Sequence, residues 1–143
     1  MTLHLIKLSV GSRSVESIHR WQQERKFRHA SGKPAGIHKT TMRPQREAEL
    51  LDGGSIYWVV KGHIIARNPL LAFEVDEGRK AGKRVSIVYG LPVVPTVPRP
   101  HRAFQGWRYF EPKAAPPDLP YGLKGKKKLP ADLAAKLDEL GLL

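Results

Sequence analysis

The 143-residue chain contains no cysteine. That absence excludes disulfide scaffolds, thiolate zinc sites and cysteine nucleophiles together, and it suits a reducing compartment. Acidic residues are scarce, 13 against 25 Lys plus Arg, which leaves a formal charge of +12 and a pI near 10.2. No apolar run approaches the roughly 18 residues of a transmembrane helix, and LHLIKLSV near the amino terminus is too short and too strand-like for a signal peptide. A cytoplasmic protein without a membrane span is expected. The six histidines show neither HxxxH nor HxH spacing, so no metal site is expected. Glu74, Asp76 and Glu77 have the chemistry for Mg²⁺ but sit beside Arg79 and Lys80, as a solvated turn would. No P-loop, GxGxxG or GxSxG is present, and no cofactor is expected.

What remains is one domain's length of chain, able to bury a core without staples and rich in turns, with 13 Gly and 12 Pro. The stretch GGSIYWVVKGHIIARNPLLAFE, residues 53–74, organises the rest. Ile56, Trp58 and Val60 share one strand face, Tyr57, Val59 and Lys61 the other, and Lys61-Gly62 turns the chain into a second strand, His63 to Arg67. Asn68-Pro69 reads as a turn before a third strand, Leu70 to Val75. Leu3, Leu5 and then Leu8 or Val10 mark an earlier strand with His4 and Lys7 interleaved, and Val85, Ile87 and Tyr89 alternate after a basic loop at Arg79–Arg84. Helices are predicted from Ser14, an N-cap, to Arg28 and from Pro44 to Asp52. LPVVPTVPRP, residues 91–100, carries four prolines and can only be an edge or crossing segment.

These elements predict an α+β fold, a single domain with a curved, mainly antiparallel sheet and two to three flanking helices. Residues 1–112 form its core, 113–128 a Pro/Lys-rich linker, and 129–143 a helix whose Leu133, Leu137 and Leu140 stripe packs on the core or on a protein partner.

The charge excess points to an anionic partner, with nucleic acid first. Phosphate recognition needs cations, and unstacked bases need flat rings. The two are combined in Lys61, His63 and Arg67 from the central hairpin with Arg99, Arg102, Trp107, Arg108 and Tyr109 from the later segment. RNA binding is therefore expected, a binding module rather than an enzyme. For the rings the competing reading is a core, Trp107 and Phe110 or Trp107 and Tyr109 packed against Trp58. Metal-free RNA or nucleotide hydrolysis through His63 or His101 is an alternative without a motif. A protein-interaction adaptor using the C-terminal helix is another.

With LLDGGSIYWVVKG at residues 50–62 and RPHRAFQGWRYFEP at residues 99–112, the chain resembles a short alphaproteobacterial-type family of unknown function over nearly its full length. That family implies no activity that its residues could carry over. The order of helix, Gly turn, aromatic strand and hairpin also resembles PUA-like barrels of the EVE and ASCH branches. This second likeness implies an open barrel that binds RNA or modified bases, with a cleft near Trp58, Lys61, Arg102 and Trp107.

Overall fold

A computed structural model describes residues 1–76 and 84–120. In chain order its elements are β1 (His4–Leu8), α1 (Val15–Glu24), β2 (Phe27–Arg28), β3 (Pro34–Thr40), α2 (Glu47–Leu50), β4 (Ser55–Val60), β5 (His63–Asp76), β6 (Arg84–Gly90), β7 (Val94–Pro100), β8 (Trp107–Phe110) and a 3-10 turn at Pro112–Ala114. The predicted basic loop between β5 and β6, apart from Arg84, and the lysine run and C-terminal helix lie outside the described residues.

The sheet runs β2-β3-β6-β5-β4-β1-β8, with β7 also on β5, and it does not close. All pairs are antiparallel except β1 with β4, which the chain reaches only after the crossover through α1. Two short helices among the described residues make this mostly a sheet protein, so the α+β expectation holds only roughly.

β4 is the centre because every one of its six residues is buried. Ile56, Trp58 and Val60 join Leu3, Leu5, Ile18, Ile87 and Tyr89 in one core cluster. Tyr57 and Val59 join Ile6, Ile64 and Phe110 in a second. A strand covered on both faces reads as a continuous apolar run, as SIYWVV does.

Three predicted boundaries change, each for a physical reason. Ser14 caps α1 through a reciprocal box in which its Oγ accepts from Ser17 N and Ser17 Oγ accepts from Ser14 N, yet the helix stops at Glu24. Phe27 and Arg28 instead pair with Ala35 and Pro34 across a turn closed by Gly32 at φ +87°. α2 is one turn rather than residues 44–52: Arg46 precedes it in non-helical backbone, φ −98° and ψ +45°, and the N–H groups of Gln45 and Arg46 donate to the Tyr109 hydroxyl at 2.9 and 3.2 Å. Asn68-Pro69 is no turn: both lie inside the 14-residue β5, whose first half pairs with β4 and β7 and whose second half pairs with β6. β6 and β7 follow each other along β5, broken by a cis Leu91-Pro92 bond. The proline-rich β7 pairs with no other named strand, and beyond it Val97 N donates to Pro117 O and Leu119 N to Pro95 O. Residues 117–119 are thereby held against the edge that β7 presents.

Candidate functional site

Register assembles the first candidate. His63 pairs with Pro100 and Ile64 with Arg99, and His101 N donates to Gly62 O at 2.9 Å, so the Lys61-Gly62 turn sits beside residues 99–102. The ring of His101 packs edge-on against Phe104 at 5.3 Å, and the Arg108 guanidinium lies over that Phe104 ring at 4.8 Å. The backbone thus brings Lys61, His63, Arg99 and Arg102 into one neighbourhood, with Arg108 on the Phe104 ring beside it. Arg99 donates to the backbone carbonyl of Ala114 at 2.6 Å. Among the described residues, Arg99, Arg102 and Arg108 have no carboxylate partner.

The other three predicted residues go elsewhere. Alternation along β8 sends Arg108 and Phe110 to one face and Trp107 and Tyr109 to the other. Trp107 is only 7% exposed and donates its Nε1–H to Met42 O at 2.9 Å, so it offers no open ring for stacking. Tyr109 packs at 5.1 Å from Trp107 with the Arg46 guanidinium 5.4 Å from its ring, and its hydroxyl anchors the 45–46 backbone. The core-like reading describes Trp107, whereas Tyr109 is 36% exposed with its hydroxyl taken up by the chain. Arg67 is a clamp: Nε and Nη2 donate to both Asp118 oxygens at 2.8 Å, and Nη1 donates to Ser55 Oγ at 2.9 Å.

His63 and His101 lack a carboxylate partner among the described residues. His63 Nδ1 contacts Lys61 O and His101 Nδ1 contacts Arg102 O, and no carboxylate hydrogen-bonds either ring among the described residues. Nor is there a group of three metal-ligating side chains among those residues.

A second candidate was not foreseen. Between α1, the end of β1 and β3 lies a cavity of about 450 Å³, lined by Lys7, Trp21, Gln22, His38, Trp58 and Tyr89, with residues 8–12 and 17–18 completing it. Its floor is a buried polar network: Asn68 Oδ1 accepts from Trp58 Nε1 at 2.8 Å and from Gln22 Nε2 at 2.9 Å, while Asn68 Nδ2 donates to Gly90 O and Gln22 Oε1. Burial pushes the Tyr89 phenol up to about 12, and Gln22, bonded to it, works weakly against that. Burial, with a smaller push from the Lys7 charge, lowers His38 to about 4, so its ring is neutral at pH 7. Burial also lowers the Lys7 ammonium below its ordinary value.

A neighbouring hollow of about 330 Å³ shares Trp21, Gln22 and Tyr89 and adds Phe27 and Lys39. The signal for this region was one residue: Lys7 continues the alternation of Leu3 and Leu5 and so falls on an inward face.

The fold and these two regions define a sheet protein with a basic end on one side and an aromatic cavity under a helix on the other. The chain belongs to the family described as Protein of unknown function (DUF1489), whose family model matches residues 5–143. No curated protein and no solved structure matches it.

Proposed function

We propose that the protein is an RNA-binding domain whose phosphate contacts come from Lys61, Arg99, Arg102 and Arg108. One observation carries this reading: the Arg108 guanidinium lies over Phe104 of the His101–Phe104 wedge, Arg99 and Arg102 lie in the segment leading into it, and none of the three has a carboxylate partner among the described residues. Like charges held together repel, and a polyanion relieves that repulsion while releasing counterions. The chain's +12 charge supports the same partner class. His101 and Phe104 replace Trp107 and Tyr109 as the rings nearest the cations. The succession of α2, glycine turn, β4 and hairpin resembles the element order of PUA-like barrels, although this sheet does not close, and that analogy favours RNA. A cytoplasmic location fits this role and the lack of cysteine. The histidine hydrolase is less favoured, because among the described residues His63 and His101 have no carboxylate to set a proton-transfer pair.

Fluorescence anisotropy with single-stranded and hairpin RNA between 50 and 200 mM salt tests the reading. Affinity should fall steeply with salt, with a log–log slope of about 0.7 per neutralised phosphate for single strands. Arg102→Ala with Arg108→Ala should weaken binding by at least about tenfold and reduce the slope. Salt-insensitive binding, or an unchanged double variant, overturns it.

A further inference from the structure

The cavity beneath α1 contains a charge that no described residue answers. Lys7 lies on the inner face of β1, opposite Trp58 in the parallel register with β4, and is only partly exposed. Among the described residues it has no hydrogen-bond or ion-pair partner, and no Asp or Glu lines the cavity. Holding an ammonium partly out of water without a counter-charge costs stability, and sequence drift to a neutral residue would remove that cost. His38, neutral at physiological pH, adds no second charge, so the cavity presents one cation.

Much of the rest of the lining is flat or apolar. Trp58 packs edge-on to His38 at 6.3 Å and to Tyr89 at 5.9 Å, which makes a continuous aromatic wall. Trp21 is 48% exposed and Val10 85%, an apolar lip at the opening where most surface residues of such size are covered. The Arg25 guanidinium stacks on Trp21 at 4.6 Å and stiffens it. Ser9 and Ser12 hydroxyls, bonded to each other at 2.8 Å, supply polar groups at the rim. The volume is that of a small-molecule site.

We propose that this cavity binds a flat aromatic or heteroaromatic molecule carrying one anionic group, with Lys7 holding the anion and Trp21, Trp58, Tyr89 and His38 enclosing the ring. The site goes beyond the RNA-binding reading and does not rest on it, because Arg108 and Lys7 face opposite sides of the sheet. A ring carboxylate and a nucleoside monophosphate share this chemistry, and the test separates them.

The three tryptophan indole N–H signals in a ¹H–¹⁵N spectrum give a built-in control, since Trp21 and Trp58 line the cavity and Trp107 does not. The full chain is titrated with indole-3-carboxylate, AMP and UMP, and with the uncharged parents indole, adenosine and uridine. Trp21 and Trp58 should shift with at least one anion while Trp107 stays still, and that anion should bind about tenfold tighter than its parent. A carboxylate response alone assigns an acid, and a nucleotide response alone assigns a nucleotide. Lys7→Met should erase the anion's advantage and Lys7→Arg should keep it. Three outcomes overturn the proposal: no Trp21 or Trp58 shift with any anion at millimolar concentration, an anion that binds no better than its parent, or a folded Lys7→Met variant with unchanged anion affinity. The parent comparison needs only the wild-type chain, so it stands even if a Lys7 variant fails to fold.

Discussion

The indole N–H of Trp58 donates to the side-chain oxygen of Asn68 at 2.8 Å, on neighbouring strands and with Asn68 wholly buried. The same oxygen serves Gln22 of α1, so one amide ties helix to sheet and closes the cavity floor. Asn68 also donates to Gly90 O, next to the break between β6 and β7.

Replacing Asn68 with Ala leaves an indole N–H, a glutamine amide and a backbone carbonyl without their partner. Each buried polar group so stranded costs about 1–3 kcal/mol, and partial relaxation brings the expected total loss to about 3 kcal/mol. Urea denaturation should show a lower midpoint at unchanged slope. A loss below about 0.5 kcal/mol would mean that water substitutes freely there.

The His38 ring predicts a pH dependence. Its folded pKa, about 4, lies below the unfolded 6.5, so the unfolded chain takes up the proton first. Stability from this group is complete above pH 6.5 and falls as pH drops from 6.5 towards 4. The slope is at most about 1.4 kcal/mol per pH unit, and less here because the ring is partly exposed to screening solvent. His4 is lowered too, by burial and then by Arg67, and adds to the fall with the same sign. In His38→Gln the stability curve across that window should flatten, leaving the His4 share. NMR titration of the His38 ring should show no protonation midpoint near 6.5.

Arg67 should matter for the fold and not for RNA. Removing its bidentate link to Asp118 loosens the 117–119 segment on β7 at a cost of about 1 kcal/mol, because both groups are partly solvated. Arg67→Ala should lower the thermal midpoint by a few degrees, about 3 °C for a domain of this size. RNA affinity should change by less than about twofold, against the much larger loss expected for the Arg102 and Arg108 pair.

Two glycines should respond differently to alanine. A Cβ on Gly54 would stand 2.2 Å from the carbonyl oxygens of both Leu3 and Leu50, so backbone must move. Gly54→Ala should cost about 3 kcal/mol or more. Gly11 has open space around it and only its φ of +84° to resist, so Gly11→Ala should cost about 1 kcal/mol. Calorimetric melting of the two variants separates them.

Local chemistry made much of the sheet readable. The alternation around Trp58, the Ser14 cap and the Lys61-Gly62 turn depend on neighbours within a few residues, and each lies where its pattern implies. The end of α1 and the start of α2 were not readable, because Pro34 and Ala35 claim the backbone at Phe27 and Arg28 in one case and the Tyr109 hydroxyl, 63 and 64 residues away, holds the backbone before the helix in the other. Asn68-Pro69 carries a strong turn signal, yet β4 and the buried amide network hold it extended.

The candidate sites divide along the same line. Composition alone determined the excess of cations, the lack of thiols and the nearness of arginines to rings between residues 99 and 110, since these are counts and spacings. Tertiary structure decided which rings stay open. Strand alternation on β8 turned Trp107 inward and left Arg108 outside with Phe104, and a salt bridge spanning 51 residues took Arg67 out of the cluster. It also made the cavity, which joins Lys7, Trp21, His38, Trp58 and Tyr89 from five separate elements. No local pattern can report such a meeting, because the distances that create it exist only once the helix has packed across the sheet.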